Sequence, residues 1–289
     1  MIFSFFMKIK GRLLFVIFVL FSFNLFSFNL FSSECSESEK DLIYKTLDAR
    51  LQTRLCKNEE DAILFMEKYF DSILDQLYSP SIVSDEVFLA LENMVNLEIY
   101  NYMYQKNISS SELSDFILPQ FYKNEKYNES HLEKKMNEWY CLSYGDVLNS
   151  SMQFLSQSTA IKLGLREKES YDEIVNEKPF FSFARINRGL WYYFAPAIGG
   201  GSKKTALEDF SMALQCAACD YESFYSRVYL SQMYYEEKKI ELCESLLNEC
   251  DEILQGNVYI PFIRFLNDNG YSLLYYTNNR EKVEKKLGI

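Results

Sequence analysis

The stretch KTALEDFSMAL at Lys204–Leu214 is echoed 37 residues later by ELCESLLNECD at Glu241–Asp251. Ala206, Phe210 and Ala213 share one helical face in the first copy, and Cys243, Leu247 and Cys250 take the same places in the second. A small residue, a large one four later and a small one three after that let a paired helix approach closely. This is the second-helix pattern of a tetratricopeptide repeat. The first helix of the later pair agrees, with Leu230, Ser231 and Tyr234 at its large, small and aromatic positions and Ser231 twelve residues ahead of Cys243. In the earlier pair Gly189 and Tyr192 take the small and aromatic positions. Gly189 precedes Ala206 by 17 residues, and the turn Pro196–Gly201 absorbs the excess.

Two degenerate copies cannot stand alone, because stacked helix pairs bury a continuous core only in longer, capped arrays. A helix over Tyr259–Tyr276 is expected to cap one end, and helices nearer the N-terminus the other. Helical periodicity runs from Glu37 onward, with ten glycines and five prolines in the whole chain. Leu42, Leu47, Leu51 and Leu55 mark a first apolar face. Ala62, Phe65, Met66, Tyr69, Phe70 and Ile73 mark a second, ended at Ser79-Pro80. Ser84, followed by Asp85 and Glu86, opens a third. Ser109 with Glu112 reads as a capping box on a short helix stopped by Pro119.

Polar Phe121–Ser130 reads as a loop, a long helix is expected from near His131 to Leu155 with a bend at Gly145, and charged 166–179 reads as a linker. Sustained alternation is missing, so strands are not expected in number. The fold class is all-α: antiparallel helix pairs stacked as a tetratricopeptide-like array, with additional N-terminal helices. Three parts follow: 1–33 as a signal peptide or membrane anchor, 34–178 as an N-terminal helical region and 179–289 as the repeat-like region.

Lys8, Lys10 and Arg12 precede the unbroken apolar run Leu13–Phe21, and small polar Ser32 and Ser33 follow, which is the order of a secretory signal. An uncleaved anchor is the competing reading. Cys35 raises lipidation as a further alternative, although Glu34 stands where that processing needs a small residue. The expected location is the periplasm or cell envelope. Without the three positive charges of 1–33, the remaining 27 Lys and Arg face 41 Asp and Glu, a net charge of −14. Such a surface repels phosphate backbones and anionic membranes, so nucleic acid is not an expected partner, and membrane contact is expected only through the N-terminal segment.

Seven cysteines in an exported chain raise the question of disulfides, but they do not cluster in a short loop-rich segment. Cys216-x-x-Cys219 with Cys243 and Cys250 supplies four thiols, yet the second pair lies seven apart on a core-facing stripe, which does not suit zinc. Gly199–Thr205 departs from a phosphate loop because Ser202 separates Gly201 from Lys203, so a turn feeding a helix capped by Ser202 is expected. His131 is the sole histidine, and no carboxylate pair stands out from its lysine neighbours. No catalytic residue, metal ligand or cofactor is assigned, and an enzyme is not expected.

Phe and Tyr together number 46. In repeat geometry the inner face is lined by first helices, which present Phe183, Ile186, Leu190 and Tyr193 from one copy and Tyr225, Val228, Gln232 and Tyr235 from the next. These are the candidate partner- or ligand-facing residues, suited to a peptide, a partner loop or an apolar small molecule. The alternative is that the N-terminal helices cover them.

From Trp191 to Ile289 the chain resembles the TRAP-transporter T-component family. The likeness rests on Pro196, Gly200-Gly201-Ser202, Ala206, Phe210, Ala213 and Leu214, then Leu246-Leu247, Ile253-Leu254, Leu266-Asn267 and Leu273-Leu274. The resemblance implies a periplasmic, helical accessory protein that binds the solute-receptor subunit of a TRAP uptake system and passes an apolar ligand through its array. The leading expectation is thus a non-catalytic exported scaffold that binds a protein partner. The alternative is a periplasmic carrier of an apolar small molecule in an aromatic-lined groove. Partner, ligand, oligomeric state, disulfide state and signal cleavage are not fixed by the sequence.

Overall fold

A computed structural model describes residues 34–77 and 83–289. The expected signal segment, 1–33, and the helix stop at Ser79-Pro80 lie outside the described residues. Thirteen α-helices and no strand occur among the described residues. Serine caps start many of them, because a serine hydroxyl can accept from an otherwise unpaired first-turn amide. Ser36 opens α1 (Glu37–Gln52) in a capping box with Glu39, Ser84 opens α3 (Asp85–Gln105), and Ser109 with Glu112 opens α4 (Ser110–Ser130). Between them α2 spans Glu59–Leu77.

Five expectations between Pro119 and Pro179 are corrected. Pro119 does not stop a helix; α4 runs through it to Ser130. Leu113, Ile117 and Phe121 form a continuous buried face across the proline, and packing of that face outweighs the loss of one backbone hydrogen bond. The supposed loop is polar because it carries a buried network. Asn124 and Asn93, both fully buried, exchange two amide hydrogen bonds of 2.8 and 3.0 Å, and Gln120 donates to Asn93 at 2.6 Å.

His131 ends α4 rather than starting the next helix, its ring stacked on Tyr127. The following helix, α5 (Glu138–Ser151), begins where the Asn137 side chain accepts from the Trp139 amide. Gly145 puts no break in α5. It leaves room for Tyr171, whose Oη would lie 2.1 Å from a Cβ there.

The charged 166–179 segment is not a linker: α6 (Gln157–Glu177) is continuous through it. Glu167, Tyr171, Ile174 and Val175 bury one face, while Arg166 pairs with Glu125 across to α4. The break before α7 (Ser182–Phe194) coincides with the boundary expected at 178/179, but one hydrophobic core continues from Cys35 to Val283 across it. Trp139 of α5 packs against Phe181 and Phe183, with ring centroids 4.7 and 5.2 Å apart.

Beyond it come α8 (Lys203–Cys216), α9 (Asp220–Glu236), α10 (Ile240–Ile253), α11 (Tyr259–Asp268), α12 (Leu273–Asn278) and α13 (Arg280–Leu287). The one helix expected over Tyr259–Tyr276 is therefore two, broken where Gly270 takes a left-handed φ of 85° and Ser272 caps a new start. Helix α7 packs on α8, α8 on α9, and α9 on α10, as paired helices joined by turns must. The repeat positions form the seams: Ala206, Phe210, Ala213, Ser231, Leu247 and Cys250 are fully buried and Cys243 is 1% exposed. Tyr234 is half-buried at the edge. In the enlarged turn the amides of Gly199, Gly200, Gly201 and Ser202 all donate to backbone carbonyls of the turn or of Tyr192, so none points outward as a phosphate cradle.

Candidate functional site

Six of the eight candidate inner-face residues lie in the core: Phe183, Ile186, Leu190, Tyr225, Val228 and Gln232 are each no more than 9% exposed. Tyr193 and Tyr235 are half-buried, and both are engaged. Tyr193 donates to Glu236, which also accepts from Ser272, and Tyr235 donates to the Asn267 carbonyl at 2.6 Å. The Gln232 carbonyl oxygen accepts from the Leu273 amide at 2.8 Å. The inner face is therefore not an open aromatic groove. Helices α1 and α12 pack against α9, and Trp139 of α5 lies against Phe183.

What α1 brings to that face is charged. Arg50, on the last turn of α1, has its guanidinium carbon 5.1 Å from the centroid of the Tyr221 ring. The helix then tightens into a 3-10 turn, Thr53–Leu55, which changes the angular step per residue. As a result Arg54 points inward and Leu55, expected on the apolar face, is 39% exposed. Arg54 donates to Tyr225 Oη at 2.7 Å and to Tyr102 Oη at 2.6 Å, and its guanidinium lies 4.7 Å from the Tyr259 ring centroid. The Val258 amide donates to the Arg54 carbonyl at 2.9 Å, tying the start of α11 to this turn.

Glu98 of α3 holds both arginines, at 3.2 Å from Arg50 Nε and 3.1 Å from an Arg54 amino nitrogen. All three are at least nine-tenths buried. Burial opposes the charge on Arg50, yet Tyr221, then Glu98 and Asp146, raise its pKa on balance. A charge this deep persists only when paired and hydrogen-bonded, and Glu98, Thr53 and the tyrosine hydroxyls supply that.

Next to the cluster, burial favours the protonated form of two carboxyl groups. Burial, partly offset by Arg50 and reinforced by Glu98, pushes Asp146 of α5 up to about 7. Glu167 of α6 rises to about 8, mainly by burial, with Tyr171 opposing and Asp146 reinforcing. Glu167 Oε1 accepts from Asn149 at 2.6 Å and from Tyr171 at 2.7 Å. Its Oε2, Asn149 Oδ1 and Arg50 Nη1 are buried without a hydrogen-bond partner.

This centre was not among the sequence expectations, because the apolar spacing of α1 is carried by its leucines. One signal was available: Arg50 and Arg54 at helical spacing, with Tyr221, Tyr225 and Tyr229 four apart on α9. Their meeting across the fold was not in the local pattern.

All seven cysteines are free thiols. Burial raises Cys243 to about 11 and Cys250 to about 12. Cys35 is 7% exposed, and its sulfur accepts from Asn137 Nδ2 at 3.2 Å. Among the described residues, no three His, Cys, Asp or Glu side chains converge as a metal site, and no helix is long and apolar enough to cross a membrane. No protein-family model matches the chain, and no curated protein matches it.

On the outside, a groove of about 520 Å³ runs between α1 and α2. Ala49 and Ile73 give it an apolar floor, Tyr69 and Phe65 line it, and Asp41 and Lys45 stand among its polar residues. Phe65, 38% exposed, leaves apolar surface of α2 at the groove.

Proposed function

We propose that this protein is a non-catalytic, exported scaffold of tetratricopeptide-like helix pairs that binds a protein partner. The observation that carries the reading is the groove between α1 and α2. The inner face is filled by the chain's own side chains, whereas this groove is a concave surface with an apolar floor that lies open to a partner. Its apolar floor and charged residues suit an amphipathic helix laid along it. The resemblance of Trp191–Ile289 to TRAP T-components suggests a solute-receptor subunit as that partner. The acidic surface favours specific protein contact over nucleic acid.

Site-specific photocrosslinking tests this. A photoreactive residue at Phe65 should yield one defined adduct in the cell envelope, and Ala49→Glu should abolish it while leaving the circular dichroism spectrum helical. An unchanged pattern of adducts in the Ala49→Glu protein would count against the groove.

A further inference from the structure

One end of the helical array gathers the start of the described chain and two turns, and polar pairs hold them together. Asn137, in the turn before α5, donates through Nδ2 to Cys35 Sγ at 3.2 Å, and its backbone amide donates to Glu86 of α3 at 2.8 Å. Lys134 of the same turn pairs with Glu86 at 2.5 Å, and Lys135 pairs with Glu177 at the end of α6. Lys178, in the turn between α6 and α7, pairs with Glu138 at the start of α5. Cys35 and the turns 131–137 and 178–181 therefore lie side by side.

Each turn holds an apolar side chain out in water. The Lys134 amide closes the first turn on the His131 carbonyl, and the Phe181 amide closes the second on the Lys178 carbonyl, both at 3.0 Å. Leu132 is 83% exposed and Phe180 72%. Phe181 packs on Trp139, with ring centroids 4.7 Å apart, so the second turn is anchored while Phe180 stays outside. Among the described residues, Ile198 is the one large apolar side chain more exposed than these two. It follows α7, which starts at this end and carries the chain about 20 Å away.

Chain connectivity indicates what covers Leu132 and Phe180. The apolar sequence that begins at Leu13 stops at Phe31, and the four Cα–Cα steps from there to Cys35 span at most about 14 Å. A bilayer that holds the apolar segment therefore has this end of the array at its surface. The three lysines of the turns are matched by carboxylates, and Glu133 beside Leu132 is exposed, so contact here rests on apolar area rather than on charge.

We propose that this end of the array rests on a lipid bilayer, with Leu132 and Phe180 inserted at the level of the head groups. Two side chains bind a bilayer weakly by themselves, but a tether this short keeps them at its surface, where insertion is intramolecular. The contact is separate from the groove between α1 and α2 and does not depend on what occupies that groove.

The test uses the full chain, residues 1–33 included, reconstituted into phosphatidylcholine vesicles in which a fraction of the lipid carries a spin label high on the acyl chain. A fluorescent amino acid replaces Leu132, Phe180 or Ile198 in turn. The labelled lipid should quench the probes at positions 132 and 180 and leave the probe at 198 bright, and phosphatidylglycerol should not strengthen the quenching. Equal quenching at all three positions, none at 132 and 180, or quenching that requires phosphatidylglycerol would overturn the proposal. So would a probe at 180 that is shielded from aqueous iodide yet untouched by the labelled lipid, because a second copy of the chain would then cover the turn.

Discussion

The ring of Phe210 occupies the place where Gly189 has no side chain. A Cβ built on Gly189 would fall 2.6 Å from Phe210 Cε1. That single contact sets how closely α7 and α8 approach, and it is made of the small and large positions that the repeat pattern assigned to facing helices.

Replacing Gly189 with Ala should therefore destabilise the protein, although alanine ordinarily favours a helix interior by up to about 1 kcal/mol. Overpacking against a fully buried ring costs about 1–3 kcal/mol and should prevail. Denaturant unfolding is the measurement. Adding Phe210→Leu should recover part of the loss; a Gly189→Ala protein as stable as wild type would mean the seam has slack.

Arg54→Met should be among the most destabilising single changes. It removes hydrogen bonds to Tyr225 and Tyr102 and leaves Glu98 with Arg50 as its remaining guanidinium. Breaking a buried pair of this kind costs about 3–5 kcal/mol. Tyr225→Phe, which removes one hydroxyl acceptor, should cost about 1–3 kcal/mol. Comparable losses in the two variants would show that the charge is held by other groups.

Stability should fall as pH rises through the range in which Asp146 and Glu167 ionise. Their folded pKa values, about 7 and about 8, lie above those of an unfolded carboxyl near 4. Between those limits the folded state binds more protons than the unfolded one, so the slope of unfolding free energy against pH is negative. Each group contributes up to about 1.4 kcal/mol per pH unit within its window. Asp146→Asn and Glu167→Gln should each flatten the curve between pH 5 and its own folded midpoint, about 7 or about 8. A curve that rises across this range in wild type would contradict the burial of these carboxyls.

Thiol labelling should follow burial rather than sequence spacing. In the native protein Cys243 and Cys250 should resist alkylation, since both are buried and their thiols are held protonated. Cys216 is partly exposed and should react first within the Cys216-x-x-Cys219 pair, because burial pushes Cys219 up to about 12. Peptide mapping after brief labelling reads the order. Early modification of Cys250 would place the α9–α10 seam in water.

Local patterns determined which segments are helices and where several begin. Spacing of apolar residues fixed the helical class, Ser84, Ser109 and Ser202 fixed three starts through hydroxyl caps, and the 37-residue echo fixed the seams at Ala206, Ala213, Cys243 and Cys250. These features depend on neighbours within one or two turns, so a single sequence displays them.

Tertiary contact decided the rest. Pro119 sits inside α4 because a buried face spans it, and the polar run after it is helical because Asn124 finds Asn93 on another helix. Arg50 and Arg54 look like ordinary surface charges until α1 lies against Tyr221 and Tyr225, about 171 residues further along the chain. Whether a charged side chain is solvated or enclosed depends on what packs over it, and partners that distant leave no mark in the local spacing.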